Sequence, residues 1–330
     1  MVRDEGGARL RETEAPEPAS AEAGAAATGR DLVPLRLGGR TLGRFAVMAV
    51  VNRTPDSFFD RGATYAFDAA LTAVGAAAEA GADIIDIGGV KAGPGEEVGV
   101  AEELRRVVDL VAAVRERHPG VIVSVDTWRA EVGEAVAEAG AHLLNDTWGG
   151  PDPRLAEVAA AYGIGLVCAH AGGLRPRTRP HRVAYDDVVA DVIRHVTAEA
   201  ERAVALGVRR DAVLIDPAHD FGKNTRHSLE ITRRLGELTA TGWPVLVAVS
   251  NKDFIGETLG RPVGKRGVGT MAVLGVSAWL GARVFRVHDA AGARRALDAV
   301  AALRRGPGEP GRTGPATGGA DASAAHRRPL

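Results

Sequence analysis

The chain has 330 residues, 45% of them hydrophobic, and a formal net charge of -1, which suits a globular protein with a sizeable core and supplies no basic surface for nucleic acid or anionic lipid. No apolar run reaches the length of a membrane span, and the opening Met1-Val2-Arg3-Asp4-Glu5 lacks the apolar core of a signal peptide, so the expected compartment is the cytoplasm. A single cysteine, Cys168, excludes an intrachain disulfide; lying in the apolar run Gly165–Ala169, it reads as buried core rather than nucleophile.

Residues 1–30 are rich in Ala, Glu, Gly and Pro and bury too little to offset the entropy of ordering, so a disordered tail is expected there, and another over 305–330. Between them lies one domain, 31–304. It opens with a hairpin over 31–43, in which Gly38-Gly39 separates two short apolar runs, placed to close the bottom of a barrel. Eight short apolar runs then read as strands: Phe45–Val51, Ile84–Ile87, Val121–Val125, Leu143–Leu144, Ile164–Cys168, Val213–Ile215, Val245–Val249 and Val284–Val287. Ala-rich segments at helical spacing separate them. Asp68–Ala80 stops at Gly81, Glu102–Arg117 stops before Pro119, and Tyr185–Leu206 stops at Gly207. Repeated strand and helix predict an α/β fold, a (β/α)8 TIM barrel in a single domain. A doubly wound sheet is the alternative, but it needs a Gly-rich phosphate turn after the first strand, and Asn52-Arg53-Thr54-Pro55-Asp56 stands there instead.

Each strand ends in a polar tip: Asn52; Asp86; Asp126; Asn145-Asp146; His170; Asp216; Ser250-Asn251-Lys252; and Arg286-Val287-His288-Asp289. Any single tip has a plainer reading, as Asp126 capping the helix that follows it or Arg286 pairing with Asp289 or another carboxylate. Eight tips on one face favour a polar site at the C-terminal end of a barrel. Two chemistries are represented. Asp126, Asn145, Asp216 and Lys252 suit a flat heterocycle with donors and acceptors along one edge. Asn52, Arg286 and His288 suit a polyanion, with the amide oxygen of Asn52 available to a hard cation such as magnesium. A site with both halves would bind a phosphorylated heterocycle.

These residues resemble the dihydropteroate synthases of folate biosynthesis. The resemblance runs through Asn52–Phe58, Asp86–Gly89, Ser124–Asp126, Asn145-Asp146, Asp216-Pro217 with Phe221–Lys223, Ser250–Lys252 and Arg286–His288, in the family's order. It implies a barrel enzyme, commonly a homodimer, that condenses 6-hydroxymethyl-dihydropterin diphosphate with p-aminobenzoate and releases diphosphate with Mg2+. By that resemblance Asp126, Asn145, Asp216 and Lys252 bind the pterin, with Lys252, Asp126 and Asp216 the catalytic contacts. Asn52, Arg286 and His288 hold the diphosphate, Asn52 reaches the metal, and Thr54, Pro55 and Asp56 belong to a mobile loop. A pterin barrel for methyl transfer is the other enzymatic reading, against which the paired Ser250–Lys252 and Arg286–His288 motifs speak.

Three departures cluster at the expected site. Val90-Lys91-Ala92-Gly93 stands where the family has Glu-Ser-Thr-Arg, Ala218-His219-Asp220 where it has Gly-Ile/Phe-Gly, and Asn251 where it has arginine. Each lost charge-assisted contact is worth about 2 to 4 kcal/mol, and two together about a thousandfold in rate or binding. Lys91, Arg53 and Arg61 are nearby cations that offer compensation. A weakened transferase is therefore expected, with a non-catalytic paralogue that binds a pterin or phosphate ligand, or acts as a scaffold, as the alternative.

Overall fold

A computed structural model describes residues 33–55, 62–93, 95–178 and 184–305. The expected terminal tails, apart from Arg305, lie outside these residues, as do Asp56 and Arg61. Strand β1 (Arg36–Leu37) turns through Gly38 and Gly39 into β2 (Arg40–Thr41), and both glycines have positive φ, 54° and 74°. Gly38 is also the only residue type that fits, since a Cβ there would stand 2.6 Å from the His142 ring. Leu35, Leu37 and Leu42 pack beneath the inward residues Met48, Ile122 and Val284, so the hairpin does plug the barrel floor. Arg283 stitches it in place by donating to the carbonyls of Val33, Gly43 and Arg44 at 2.8, 2.9 and 2.8 Å.

The barrel strands are β3 (Ala46–Asn52), β4 (Ile84–Gly88), β5 (Ile122–Asp126), β6 (Leu143–Asp146), β7 (Gly165–Ala169), β8 (Val213–Asp216), β9 (Leu246–Val247) and β10 (Val284–Val287). All pair parallel in the order β8-β7-β6-β5-β4-β3-β10-β9, and a bridge from Ile215 to Val245 closes the ring. Along β3, Met48 faces the interior while Val47, Ala49 and Val51 face the helices; β4 and β5 repeat the alternation. The phase carries Asn52, Asp86, Asp126, Asn145, Asp216, Arg286 and His288 inward, and it turns Cys168 outward into the apolar layer beneath the helices. There burial pushes its thiol up, in keeping with a core role.

Helices α1 (Phe67–Glu79), α2 (Val100–Arg117), α3 (Ala130–Glu138), α4 (Arg154–Ala161), α5 (Val188–Ala205), α6 (Thr225–Arg233), α7 (Leu235–Thr239), α8 (Asp253–Leu259), α9 (Gly267–Trp279) and α10 (Ala290–Arg304) cover the barrel. Two expected elements come out shorter. The fifth helix starts at Val188 rather than Tyr185 because Asp187 caps it, accepting from Val189 and Ala190 N–H. The expected strand Val245–Val249 reduces to Leu246–Val247: Pro244 cannot donate to a ladder, and Asn251 turns the chain into the left-handed region at φ 58°. Among the described residues, no helix is long and apolar enough to cross a membrane.

Candidate functional site

The C-terminal barrel face opens on a cavity of about 790 Å³, including its solvent-open mouth. Asn52, Thr54, Asp126, Asp216, Lys252, Arg286 and His288 all line it, together with Val90, Lys91 and Ala92 of the second loop. Asn145 is fully buried behind this lining. The structure therefore brings together every expected pterin and diphosphate residue. Pro55 instead lines a separate cleft with Glu96, Arg106 and Arg177.

One polar cluster is built around Arg286. Its Nε donates to Asp86 Oδ2 at 2.6 Å and its Nη2 to Asp126 Oδ2 at 2.8 Å. Asp86 also accepts from Ser124 Oγ at 2.6 Å and Asn145 Nδ2 at 3.1 Å, while Asp126 accepts from Thr147 Oγ1 at 3.1 Å. Burial pushes the Asp126 carboxyl up to about 7, against the pull of Arg286. Desolvation opposes the charge on Arg286, yet Asp86 and Asp126 outweigh it and hold the guanidinium above its ordinary value. The guanidinium expected at the anion end thus comes with its charge already offset by two carboxylates. Nor is Asp126 a helix cap, because the first turn of α3 is served by Asp152, which accepts from Ala130 N–H at 3.1 Å. Capping does explain Asp289, which accepts from Gly292 N–H at the start of α10, whereas Asp146 closes a turn by accepting from Trp148 and Gly150 N–H.

The other cluster belongs to the loop after β8. Burial raises Asp216, Lys252 pulls it down, and its Oδ1 accepts from Ala218 N–H at 2.7 Å. Lys252 donates to the His219 carbonyl and stands 4.8 Å over the Phe221 ring. Below it, Lys223 gathers the loops by donating to His170, Phe221 and Ala218 carbonyls at 2.7, 2.7 and 3.2 Å, although burial and Lys252 drive its ammonium down to about 7. Ala218 and Asp220 sit at φ 48° and 67°. The left-handed turns that suit the family's glycines persist here without them.

Ser250 holds His288. Its Oγ lies 3.0 Å from His288 Nδ1 and accepts from His288 N–H at 3.3 Å.

The second loop is held by arginines from outside it. Arg106 donates to Gly89 O at 2.9 Å, Arg129 to Val98 O at 2.7 Å, and Arg177 to the carbonyls of Lys91 at 2.9 Å and Glu96. Arg53 does not reach the cavity; it donates to backbone carbonyls of Tyr65 and Arg106 at 3.0 and 2.8 Å. Thr147 is not singled out by the sequence, and Asp86, Ser124 and Phe221 enter only as a strand tip or motif residues with no role in the site assigned to them. Period-two phase marks Asp86 and Ser124 as inward, but nothing local marks Thr147.

Residues 48–288 match the family described as pterin binding enzyme. Over 265 residues, 79% of this chain and 83% of the other, the chain is 57% identical to a Mycobacterium tuberculosis protein named inactive dihydropteroate synthase 2. It is 38% identical over 244 residues to the dihydropteroate synthase of Escherichia coli, spanning 74% of this chain and 86% of that protein. The chain belongs to the dihydropteroate synthase family. Among solved structures, dihydropteroate synthase from Xanthomonas albilineans in complex with 7,8-dihydropteroate superposes with a TM-score of 0.72 at 35% identity, covering 83% of this chain and 100% of that one. Within the family, this chain is a divergent member whose departures fall on the second loop, the β8–α6 loop and Asn251 after β9.

Proposed function

We propose that the cavity binds a reduced pterin through Asp126, Asn145, Asp216 and Lys252, and that the chain is a dihydropteroate synthase of much reduced turnover. The observation that carries this reading is the convergence of those groups where two buried oxygens, Asn145 Oδ1 and Thr54 Oγ1, have no hydrogen-bond partner among the described residues. Buried polar atoms need partners, and the N–H edge of a pterin supplies them. The reaction asks little more of the protein. As diphosphate leaves, positive charge develops on the pterin methylene, so the residues need only hold the anion, stabilise the ring and place the arylamine.

Asn52, Arg286 and His288 form the diphosphate end of this reading. Among the described residues no cluster of three or more His, Cys, Asp or Glu is placed to hold a metal ion. One amide oxygen, that of Asn52, fits magnesium carried in on the substrate phosphates, where the ion would neutralise leaving-group charge. One feature argues for weak turnover: the second loop offers Lys91 and Ala92 to the cavity but no hydroxyl or guanidinium. The Mycobacterium tuberculosis relative, named inactive, favours the second reading, a pterin-binding paralogue without synthase activity. A cytoplasmic homodimer completes the proposal. Val268, Val276 and Trp279 leave one side of α9 apolar and exposed, at 89%, 51% and 48%, which suits a second copy.

Calorimetric titration with the pterin diphosphate, with and without magnesium, followed by a diphosphate-release assay with p-aminobenzoate, tests the reading. Binding with turnover about a thousandfold below the Escherichia coli enzyme is expected. Absence of pterin binding would remove the site assignment, and turnover at the level of that enzyme would remove the weakening. Release at the assay blank, with binding intact, would establish the paralogue. Light scattering of the purified chain reads the dimer.

A further inference from the structure

His219, Asp220 and Phe221 each hold part of the segment that presents Lys252. The His219 carbonyl takes the ammonium, its ring stacks on Phe254 of α8 at 5.5 Å and 22°, and Phe221 lies under the ammonium. Asp220 does more. Its Oδ2 accepts from Asp253 N–H at 2.7 Å and Phe254 N–H at 3.3 Å, the residues that follow Lys252 in the chain. Its Oδ1 accepts from Ser228 Oγ at 3.0 Å, and Ser228 is fully buried in α6. The carboxylate therefore ties the β8–α6 loop, α6 and the start of α8 together at the residue next to Lys252. It does so from a left-handed φ of 67°, a conformation that a non-glycine residue keeps only when its surroundings hold it there.

From this geometry we propose that Asp220 is a positioning residue that seats Lys252 at the pocket wall and faces it with a second carboxylate beside Asp216. The charged groups around Lys252 are Asp216 and Asp220 on the β8–α6 loop, Lys223 beyond it, Asp253 on α8 and Arg286 on β10. Burial draws the Lys252 ammonium below the usual lysine range, and Asp220 is the foremost of the charges that draw it back. The pocket edge thereby differs from one built on Asp216 alone. A ligand that accepts from Lys252 meets an ammonium already hydrogen-bonded to the His219 carbonyl and lying in the field of Asp216 and Asp220, which favours a strong acceptor such as a ring carbonyl over a weak one. That last consequence rests on the pterin reading above; the positioning role does not.

The chain has only four lysines, Lys91, Lys223, Lys252 and Lys265, so lysine-selective NMR gives a spectrum in which each side chain is assignable by single substitution. Asp220→Asn and Asp220→Ser remove the charge and leave an acceptor for the α8 N–H groups, so either variant that keeps the wild-type melting profile serves. Without any ligand present, the Lys252 titration midpoint should fall by about one pH unit in these variants, a tenfold loss of proton affinity, while Lys265 stays unchanged. With 6-hydroxymethylpterin, affinity should fall about tenfold in the same variants. An unchanged Lys252 titration in both variants would overturn the role and leave Asp220 a helix cap. If wild type binds no pterin yet the titration shifts, the function proposed above fails and the positioning role stands.

Discussion

At Asp86 three donors meet one carboxylate: Ser124 Oγ, Asn145 Nδ2 and Arg286 Nε. The side chain is completely buried, so its charge depends on Arg286, and Arg286 depends in turn on Asp86 together with Asp126. Asp86→Ala should therefore cost about 3 to 5 kcal/mol of folding stability, measured by urea unfolding, because it leaves a guanidinium buried against a single partner. A loss below about 1 kcal/mol would mean that water or a ligand group takes the place of the carboxylate. Ala218 makes the opposite case. It pays for a φ of 48° with no side-chain hydrogen bond in return, so Ala218→Gly should stabilise the fold by about 0.5 to 1 kcal/mol, the relieved strain less the entropy glycine adds to the unfolded chain. An unchanged urea midpoint would show that the loop accommodates the alanine without strain.

Loops and short elements decide how far the family chemistry survives. The β4–α2 loop is held across the cavity by Arg177, Arg129 and Arg106 through its own carbonyls, so it is fixed by backbone and brings only Lys91 and Ala92 to the cavity. An arylamine pocket assembled by such a loop lacks the hydroxyl and guanidinium that would reward closing over ligand. Wild type should consequently bind p-aminobenzoate and sulfonamides weakly or not at all, and Ala92→Thr combined with Gly93→Arg should raise that affinity or the turnover. Tight sulfonamide binding by wild type in calorimetry, or no response to the double replacement, would show that the loop contributes otherwise. The turn of the hairpin under the barrel depends on one close approach. Gly38→Ala would drive a methyl into the His142 ring at a positive φ and should lower stability by about 2 kcal/mol, read from thermal melting.

Across the whole molecule, buried histidines and carboxylates make opposite demands on pH. Burial, with Arg115 and Arg40 nearby, draws His142 down to about 4, and its Nδ1 accepts from Val123 N–H at 2.9 Å, which only the neutral ring can do. A histidine whose folded value lies below its unfolded value stabilises the fold above the unfolded value, near 6.5, and that contribution is lost as pH falls through about 4. Asp126 and Asp146, raised to about 7 and 6 chiefly by burial, work the other way: their contribution is whole below about 3.8 and is lost as pH rises through 6 to 7. The isolating measurement is a difference. His142→Gln should melt below wild type at pH 7, and the gap should narrow as pH falls from 6.5 to 4; a gap independent of pH would mean that folding leaves the proton affinity of His142 unchanged.

The alternation of apolar strands with helical segments, the hairpin glycines and the polar strand tips follow from the sequence alone, because period, turn chemistry and strand-end position are local properties of a chain. That local information was enough for a TIM barrel with Asn52, Asp126, Asp216, Lys252, Arg286 and His288 gathered at one end. Only the tertiary structure decided what each of those groups spends its bonds on. Arg286 is 200 residues from Asp86 and 160 from Asp126, and no spacing rule foretells that these three will share one buried network. Arg53 and Arg177 are likewise cations by sequence but clamps on backbone carbonyls in the fold. The physical reason is common to both: a charge buried by barrel closure takes whichever partner the closure brings within hydrogen-bond reach, and closure is set by the register of strands far apart in the chain.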